Sequence, residues 1–342
     1  MKEINIDVTH EKLFLKKSSL AFSDRINYPL WKEEVRKKYL ELLGMDNIAK
    51  NVCDLNIEIE EVIQKDGYTR YRFTFESEKN CVVPCYLLIP KIKKKKYPVC
   101  ICLQGHTTGF HISIGEKKYD IDDGYLETST FALDAVKNGF AALCIEQRGM
   151  GERTTLLQNR HRKLTCACEF VAMTALLLGR TLIGERVWDV HRGIDALEHF
   201  KEDLDLDDIT VLGNSGGGTA TYYSACFDQR IKMAISCSAI STYRNSIGNV
   251  WHCPCNYIPH IAEYVDMGEL STLIAPRKLI VTIGELDPIF PVEGTKEVYS
   301  VMEKIYKKEN AENNLRLIII PDKQHYFDKK MTFSAIKEMR MK

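Results

Sequence analysis

Residues 209–218 read Ile-Thr-Val-Leu-Gly-Asn-Ser-Gly-Gly-Gly. Four strand-forming residues, Ile209 to Leu212, run into Gly213-Asn214-Ser215-Gly216-Gly217, which places a serine between glycines two residues away on either side. A serine presented at the tip of a very tight strand-to-helix turn requires that spacing. Its own backbone is strained, and larger side chains at the flanking positions would collide. The helix that begins at Gly216 aims free N–H groups and its positive dipole end at the same point, where an anionic oxygen could be held. The alternative is a glycine-rich turn serving only packing or a phosphate, since so short a motif also arises by chance. The readable strand and helix on either side favour an activated nucleophile with Gly216 N–H as one oxyanion donor.

Working outward, the same strand character recurs at Val99–Leu103, Ala141–Ile145, Met233–Cys237, Lys278–Ile283 and Leu315–Ile320, each a short apolar run followed by glycine or polar residues. Helical periodicity fills the gaps and is clearest over Arg186–Phe200, where Val187, Val190, Ile194, Leu197 and Phe200 form one stripe. Strand and helix alternation of this kind implies an α/β fold with a mostly parallel central sheet and helices on both faces. Ligands then bind at the carboxyl ends of the strands.

A serine needs a base and an orienting acid to become a nucleophile. Gly284-Glu285-Leu286-Asp287-Pro288 follows the next-to-last strand, and Pro321-Asp322-Lys323-Gln324-His325-Tyr326 follows the last. Both loops fall on the edge of the sheet that carries Ser215, in the chain order serine, acid, histidine. His325 is the expected base and Asp287 the expected acid, with Glu285 as the rival. The second oxyanion donor is expected in Leu103-Gln104-Gly105-His106, as the backbone N–H of His106. The His106 ring reads as pocket wall. The loop Glu146-Gln147-Arg148-Gly149-Met150-Gly151-Glu152 borders the same region; its preferred reading is an ion-paired buttress, and Arg148 is also a candidate substrate contact.

Upstream the pattern differs. Pro29 suits a first helical turn, Trp31, Val35, Tyr39 and Leu42 recur on one face, and Gly44 offers a C-cap. Residues 1–56 are therefore expected to form an N-terminal helical extension packed on a catalytic domain spanning 57–342. Strand signals at Ile57–Ile63, Arg70–Phe75 and Val82–Ile89 predict an antiparallel start to the sheet. The lysine-rich run from Lys91 to Lys96 reads as a solvated loop.

The 342 residues carry 47 basic and 47 acidic side chains, so no net field draws the chain to nucleic acid or to an acidic membrane. No apolar run approaches a membrane span and the N-terminal residues lack a leader pattern, which predicts a cytoplasmic protein. A small-molecule ester is the expected partner, and self-association stays open. Many of the 12 cysteines sit inside apolar strands as reduced, buried thiols. The close pairs Cys166/Cys168 and Cys253/Cys255 invite comparison with zinc ligands. Structural zinc usually takes ligands two to four residues apart, so no metal or other cofactor is expected.

Taken together, Gln104-Gly105-His106, Glu146-Gln147-Arg148-Gly149, Arg186-Val187-Trp188-Asp189-Val190, the serine turn and Leu273-Ile274-Ala275-Pro276-Arg277 resemble α/β-hydrolases of the acetyl xylan esterase and dienelactone hydrolase group. The resemblance covers about Tyr71 to Phe327. It implies the α/β-hydrolase fold and a serine hydrolase acting on small esters, often acetyl groups on sugars, with the triad on Ser215, Asp287 and His325. Dienelactone hydrolases proper carry a cysteine where this chain has Ser215.

Residues 238–277 exceed a simple connection and carry Tyr243, Arg244, Trp251, His252, Cys253, Pro254, Cys255, Tyr257 and His260. Such an insertion suits a lid or pocket wall, with Trp251 and Tyr257 as candidate substrate contacts, or alternatively as core cover. A carboxylic ester hydrolase preferring short acyl groups is the expected function. A serine peptidase or thioesterase of the same fold, and a non-catalytic binder, are the alternatives. The triad alone does not separate ester from peptide, because both pass through the same tetrahedral oxyanion.

Overall fold

The computed structural model of the chain describes residues 5–92, 94–154 and 167–341. Among these residues nine strands form one sheet: β1 (Glu58–Lys65), β2 (Tyr68–Glu78), β3 (Cys81–Pro90), β4 (Tyr97–Leu103), β5 (Ala141–Ile145), β6 (Leu204–Asn214), β7 (Ile231–Cys237), β8 (Lys278–Gly284) and β9 (Leu315–Ile320). Their order across the sheet is β1-β2-β3-β5-β4-β6-β7-β8-β9. The first three are antiparallel and β3 meets β5 antiparallel. From β5 onward every pair is parallel. Parallel neighbours need long crossovers, and helices supply them on both faces.

Strand alternation divides the core. Val99, Ile101, Leu103, Ile209 and Val211 point to one face, while Cys100, Cys102 and Leu212 point to the other. The first face is covered by helices Tyr28–Leu43, Leu182–Ala196, Gly216–Phe227 and Val292–Lys308, and the second by Phe131–Lys137 and Lys329–Met341. Cys100, Cys102, Cys144 and Cys237 are buried free thiols in the second cluster, acting as small hydrophobes.

Two sequence expectations shift. The helix expected over Arg186–Phe200 begins a turn earlier, at Leu182, because the Thr181 hydroxyl accepts from Gly184 N–H at 3.0 Å and caps it there; its end tightens into a 3₁₀ turn at Leu197–Phe200. In the N-terminal helix the buried stripe is Trp31, Val35, Tyr39 and Leu43, at a spacing of four, whereas Leu42 is half-buried. Gly44 ends it in the left-handed conformation, φ 74°, where a Cβ would fall 2.4 Å from Gly179 O. The helix lies against Ile261–Tyr264 and Met267–Leu273.

Arg277 explains the Leu273–Arg277 motif. Its Nη1 donates to the carbonyls of Asp228 (2.9 Å) and Ile231 (2.7 Å), and its Nη2 to those of Ala225 and Leu273 (2.6 Å each). One guanidinium thus satisfies carbonyls around the C-terminus of the helix that follows Ser215. No helix of the described residues is long and apolar enough to cross a membrane.

Candidate active site

Ser215 sits between β6 and the helix Gly216–Phe227 with φ 56° and ψ −125°, a strained conformation for a residue with a side chain. Its N–H donates to Cys237 O at 2.9 Å, which ties the turn to β7. A Cβ at Gly213 would lie 2.3 Å from Gly217 O, and one at Gly217 would lie 2.0 Å from Leu103 O. Both contacts are with backbone and cannot be relieved by a rotamer change. The two glycines are therefore required by sterics at the turn.

Asp287 and His325 lie on the loops after β8 and β9. The Asp287 carboxylate is buried and accepts from the N–H groups of Ile289 and Phe290, both at 2.9 Å. Its other oxygen meets His325 Nδ1 at 2.8 Å. That bond assigns the proton to Nδ1 and leaves Nε2 as the acceptor. Nε2 is buried and has no hydrogen-bond partner among the described residues. Ser215 and His325 line the same cavity of about 630 Å³. Glu285, the rival acid, instead accepts from Asp322 N–H at 3.1 Å on the surface.

The loop after β4 closes the other side of Ser215. A Cβ at Gly105 would stand 2.9 Å from Asn214 O and 3.1 Å from Ser215 Cβ, so this loop touches the serine turn directly. Gln104 Nε2 donates to Glu146 Oε1 at 2.7 Å, Phe110 N–H donates to the same carboxylate, and Gln147 Nε2 donates back to Gln104 O. Burial pushes the Glu146 carboxyl up to about 8, opposed by the N–H groups of Glu152 and Phe110.

Arg148 does not reach the cavity. Its guanidinium is buried and pairs with Asp189 (2.8 Å), Glu78 (2.6 Å) and Glu185 (3.3 Å), while Arg153 holds the second Asp189 oxygen at 2.6 Å. The substrate-contact expectation for Arg148 is corrected on this ground, because three carboxylates hold the charge inside the buttress. Tyr257 is likewise displaced. It lines a second cavity, of about 770 Å³, between the insertion and the first helix, Asp7–Phe14. Trp251 does line the active-site cavity, at its mouth, and is 85 % exposed.

The remaining wall comes from residues without a local sequence signal. Tyr125, Thr128, Ser129, Cys168, Glu169, His252 and Phe290 contribute from four separate segments. His252 Nε2 meets Ser246 Oγ at 2.9 Å, and its ring packs edge-on to Phe290, which stacks against His325. Beyond Glu169, the helix Cys168–Leu177 exposes Phe170, Met173 and Leu177. An exposed apolar helix therefore borders the pocket.

Beside Gly216, the His106 ring turns into a group of sulfurs. The His106 nitrogen and the Sγ atoms of Cys168, Cys253 and Cys255 all lie within 4.8 Å of one another, with His106 Nε2 to Cys255 Sγ at 3.2 Å. Cys168 and Cys255 are buried, and His106 and Cys253 are half-buried. Cys166, paired with Cys168 in the sequence, lies outside the described residues. The His106 ring is wedged so close that a Cβ at Gly216 would fall 2.8 Å from its Cε1.

The Abhydrolase family matches residues 6–185, just over half the chain. A Bacillus subtilis (strain 168) protein named "Putative hydrolase YtaP" is 24 % identical over 290 residues, covering 83 % of this chain and 91 % of its own length. The crystal structure of a "putative acetyl xylan esterase" from Bacteroides fragilis NCTC 9343 superposes with a TM-score of 0.75 at 19 % identity, over 97 % of this chain and 84 % of that one. The glucuronoyl esterase of Solibacter usitatus gives a TM-score of 0.64 at 14 % identity, over 89 % and 91 %. These likenesses establish the α/β-hydrolase fold.

Proposed function

The chain belongs to the Abhydrolase family, and from that premise we propose that it is a serine esterase that hydrolyses a small carboxylic ester through an acyl-enzyme on Ser215. One observation carries the reading: His325 is held by Asp287 at 2.8 Å on Nδ1, while its buried Nε2 has no partner among the described residues and lines the same cavity as a strained serine.

In this reading His325 Nε2 takes the proton of Ser215 Oγ as the oxygen attacks the ester carbonyl. Asp287 favours the imidazolium that results. The negative charge on the tetrahedral oxygen falls to the N–H of Gly216, which as a first-turn residue has no acceptor within its helix, and to the N–H of His106. Collapse expels the alcohol, which collects the proton from His325. Water then repeats the sequence in reverse to free the acid.

The cavity volume and the exposed Trp251 at its mouth suit a short acyl group on a polar, ring-bearing alcohol such as a sugar. Esterases among the structural relatives, one of them named for acetyl xylan, support that substrate class. A fluorophosphonate probe should label Ser215 alone in the native protein. Nitrophenyl esters from acetate to dodecanoate should then show kcat/KM greatest at acetate or butyrate. No labelling of Ser215 would overturn the serine mechanism, and rates climbing with chain length would overturn the short-acyl assignment.

A further inference from the structure

We infer that His106, Cys168, Cys253 and Cys255 form a tetrahedral zinc site that clamps the loop after β4 to the 238–277 insertion beside the nucleophile. Zinc with sulfur ligands at about 2.3 Å and nitrogen at about 2.0 Å sets its ligand atoms roughly 3.5–3.8 Å apart. The four donor atoms here already lie within 4.8 Å of one another. Closing them on an ion takes side-chain adjustments on the order of 1 Å, well within rotamer freedom.

A second observation points the same way. Arg186, only 1 % exposed, brings Nη2 to 2.9 Å from Cys168 Sγ. A guanidinium has no lone pair to offer and keeps its proton, so the sulfur must be the acceptor, and a thiolate accepts far better than a thiol. Three thiolates on a divalent ion carry a net charge of −1, which the Arg186 guanidinium offsets inside a buried corner. Such outer partners are the usual companions of metal-bound sulfur.

The donor set selects the ion. Three soft thiolates and one imidazole disfavour magnesium and calcium and suit zinc in tetrahedral geometry. With four protein ligands no position stays open for water, so the ion would hold structure and take no part in bond breaking. What it would hold is specific: the His106 ring is seated against Gly216, and the two residues carry the two N–H groups assigned to the oxyanion. That consequence rests on the esterase reading, whereas the site itself does not.

The test uses the full chain purified with a reductant and without chelator. Elemental analysis should find one zinc per chain, and cobalt replacing it should give the strong visible bands of a tetrahedral ion plus a near-ultraviolet sulfur-to-cobalt band. Cys168→Ser and Cys253→Ser should each lose at least tenfold in zinc retention, while Cys53→Ser, outside the cluster, keeps one equivalent. Removing zinc should slow fluorophosphonate labelling of Ser215 at least tenfold, and restoring zinc should reverse it. The site is overturned if the parent protein binds no zinc after reconstitution, if cobalt gives no sulfur band, or if thiol titration of the unfolded chain finds two fewer than its 12 cysteines. The cobalt spectrum of the parent stands even if a variant fails to fold. Labelling without zinc binding would sink the site and leave the esterase reading, and zinc binding without labelling would do the reverse.

Discussion

The two walls of the active-site cavity are built on different principles. The wall carrying Ser215, Asp287 and His325 lies on the turn after β6 and the loops after β8 and β9, and main-chain geometry fixes much of it: Ser215 has φ 56°, the N–H groups of Ile289 and Phe290 fasten the Asp287 carboxylate, and that carboxylate holds His325. The facing wall, with His106, Cys168, Trp251, His252 and Cys253, is assembled from two loops and the start of a helix, and side-chain contacts such as His106 to Cys255 link these segments. The first wall is held by main-chain donors and by short links to the strand ends. The second depends on cross-links, so its residues should tolerate change in graded fashion and set what enters.

The sharpest way to break that contrast is at the nucleophile. Ser215→Ala should lower turnover with nitrophenyl acetate by roughly 10⁴ to 10⁶ with an unchanged melting temperature. Activity near the parent level would remove the strand-end wall from the chemistry altogether. Next, Asp287→Asn should cost about 10⁴ in kcat, as loss of the orienting acid does elsewhere, while Glu285→Gln stays within about twofold. The opposite ranking would move the acid to Glu285.

Gly217→Ala probes the same wall through stability. A methyl group 2.0 Å from Leu103 O forces the backbone apart and should destabilise the fold by about 3 kcal/mol in urea titration, with activity lost in proportion. Full stability would mean the turn is less confined than its geometry implies. On the loop wall the effects should be smaller. Trp251→Ala should raise KM for an acetylated sugar up to about tenfold with little change in kcat, whereas Tyr257→Ala, facing the other cavity, should change neither.

The smallest effect concerns pH and the buried carboxyl that holds the loop after β4. Glu146 is pushed up to about 8, so between the ordinary carboxylate range and that value the folded state keeps a proton that the unfolded chain has lost. Stability therefore falls as pH rises through that window. Asp189 works in the opposite direction: burial alone would raise it, but Arg148 and Arg153 hold it below the carboxylate range, and its effect is confined to acid pH. Glu146→Gln should flatten the decline in melting temperature between about pH 5 and 8. A profile as steep as the parent's would show that Glu146 is ionised in the folded protein.

The contrast between the walls also explains what could be read from the residues alone. The serine turn is legible because its spacing is local: Gly213 and Gly217 sit two positions from Ser215, and a Cβ at Gly213 would meet Gly217 O within the same turn, although the clash at Gly217 is with the distant Leu103 O on β4. Asp287 and His325 are legible because alternation of strands and helices dictates which loops share an edge. The sulfur cluster is not. Cys255 meets His106 across 149 residues, and spacing within the pair Cys253/Cys255 carries no trace of that third segment. Arg148 misleads for a related reason: its loop does border the oxyanion loop, but the carboxylates that turn its side chain inward come from Glu78, Glu185 and Asp189. The first turn of Leu182–Ala196 carries a local signal in Thr181, whose hydroxyl caps it.

The N-terminal helix has a consequence for how the protein is made. Its stripe leads into partners synthesised much later: Tyr39 donates to Tyr223 O across 184 residues, and Tyr28 reaches Thr272 across 244. At 5–20 residues per second a ribosome needs roughly ten seconds or more to deliver those partners. For that interval Trp31, Val35, Tyr39 and Leu43 form an apolar face without its binding surface. This helix is thus made long before the surface it docks on, and holdase chaperones should capture nascent chains stalled before residue 223 far better than chains released whole.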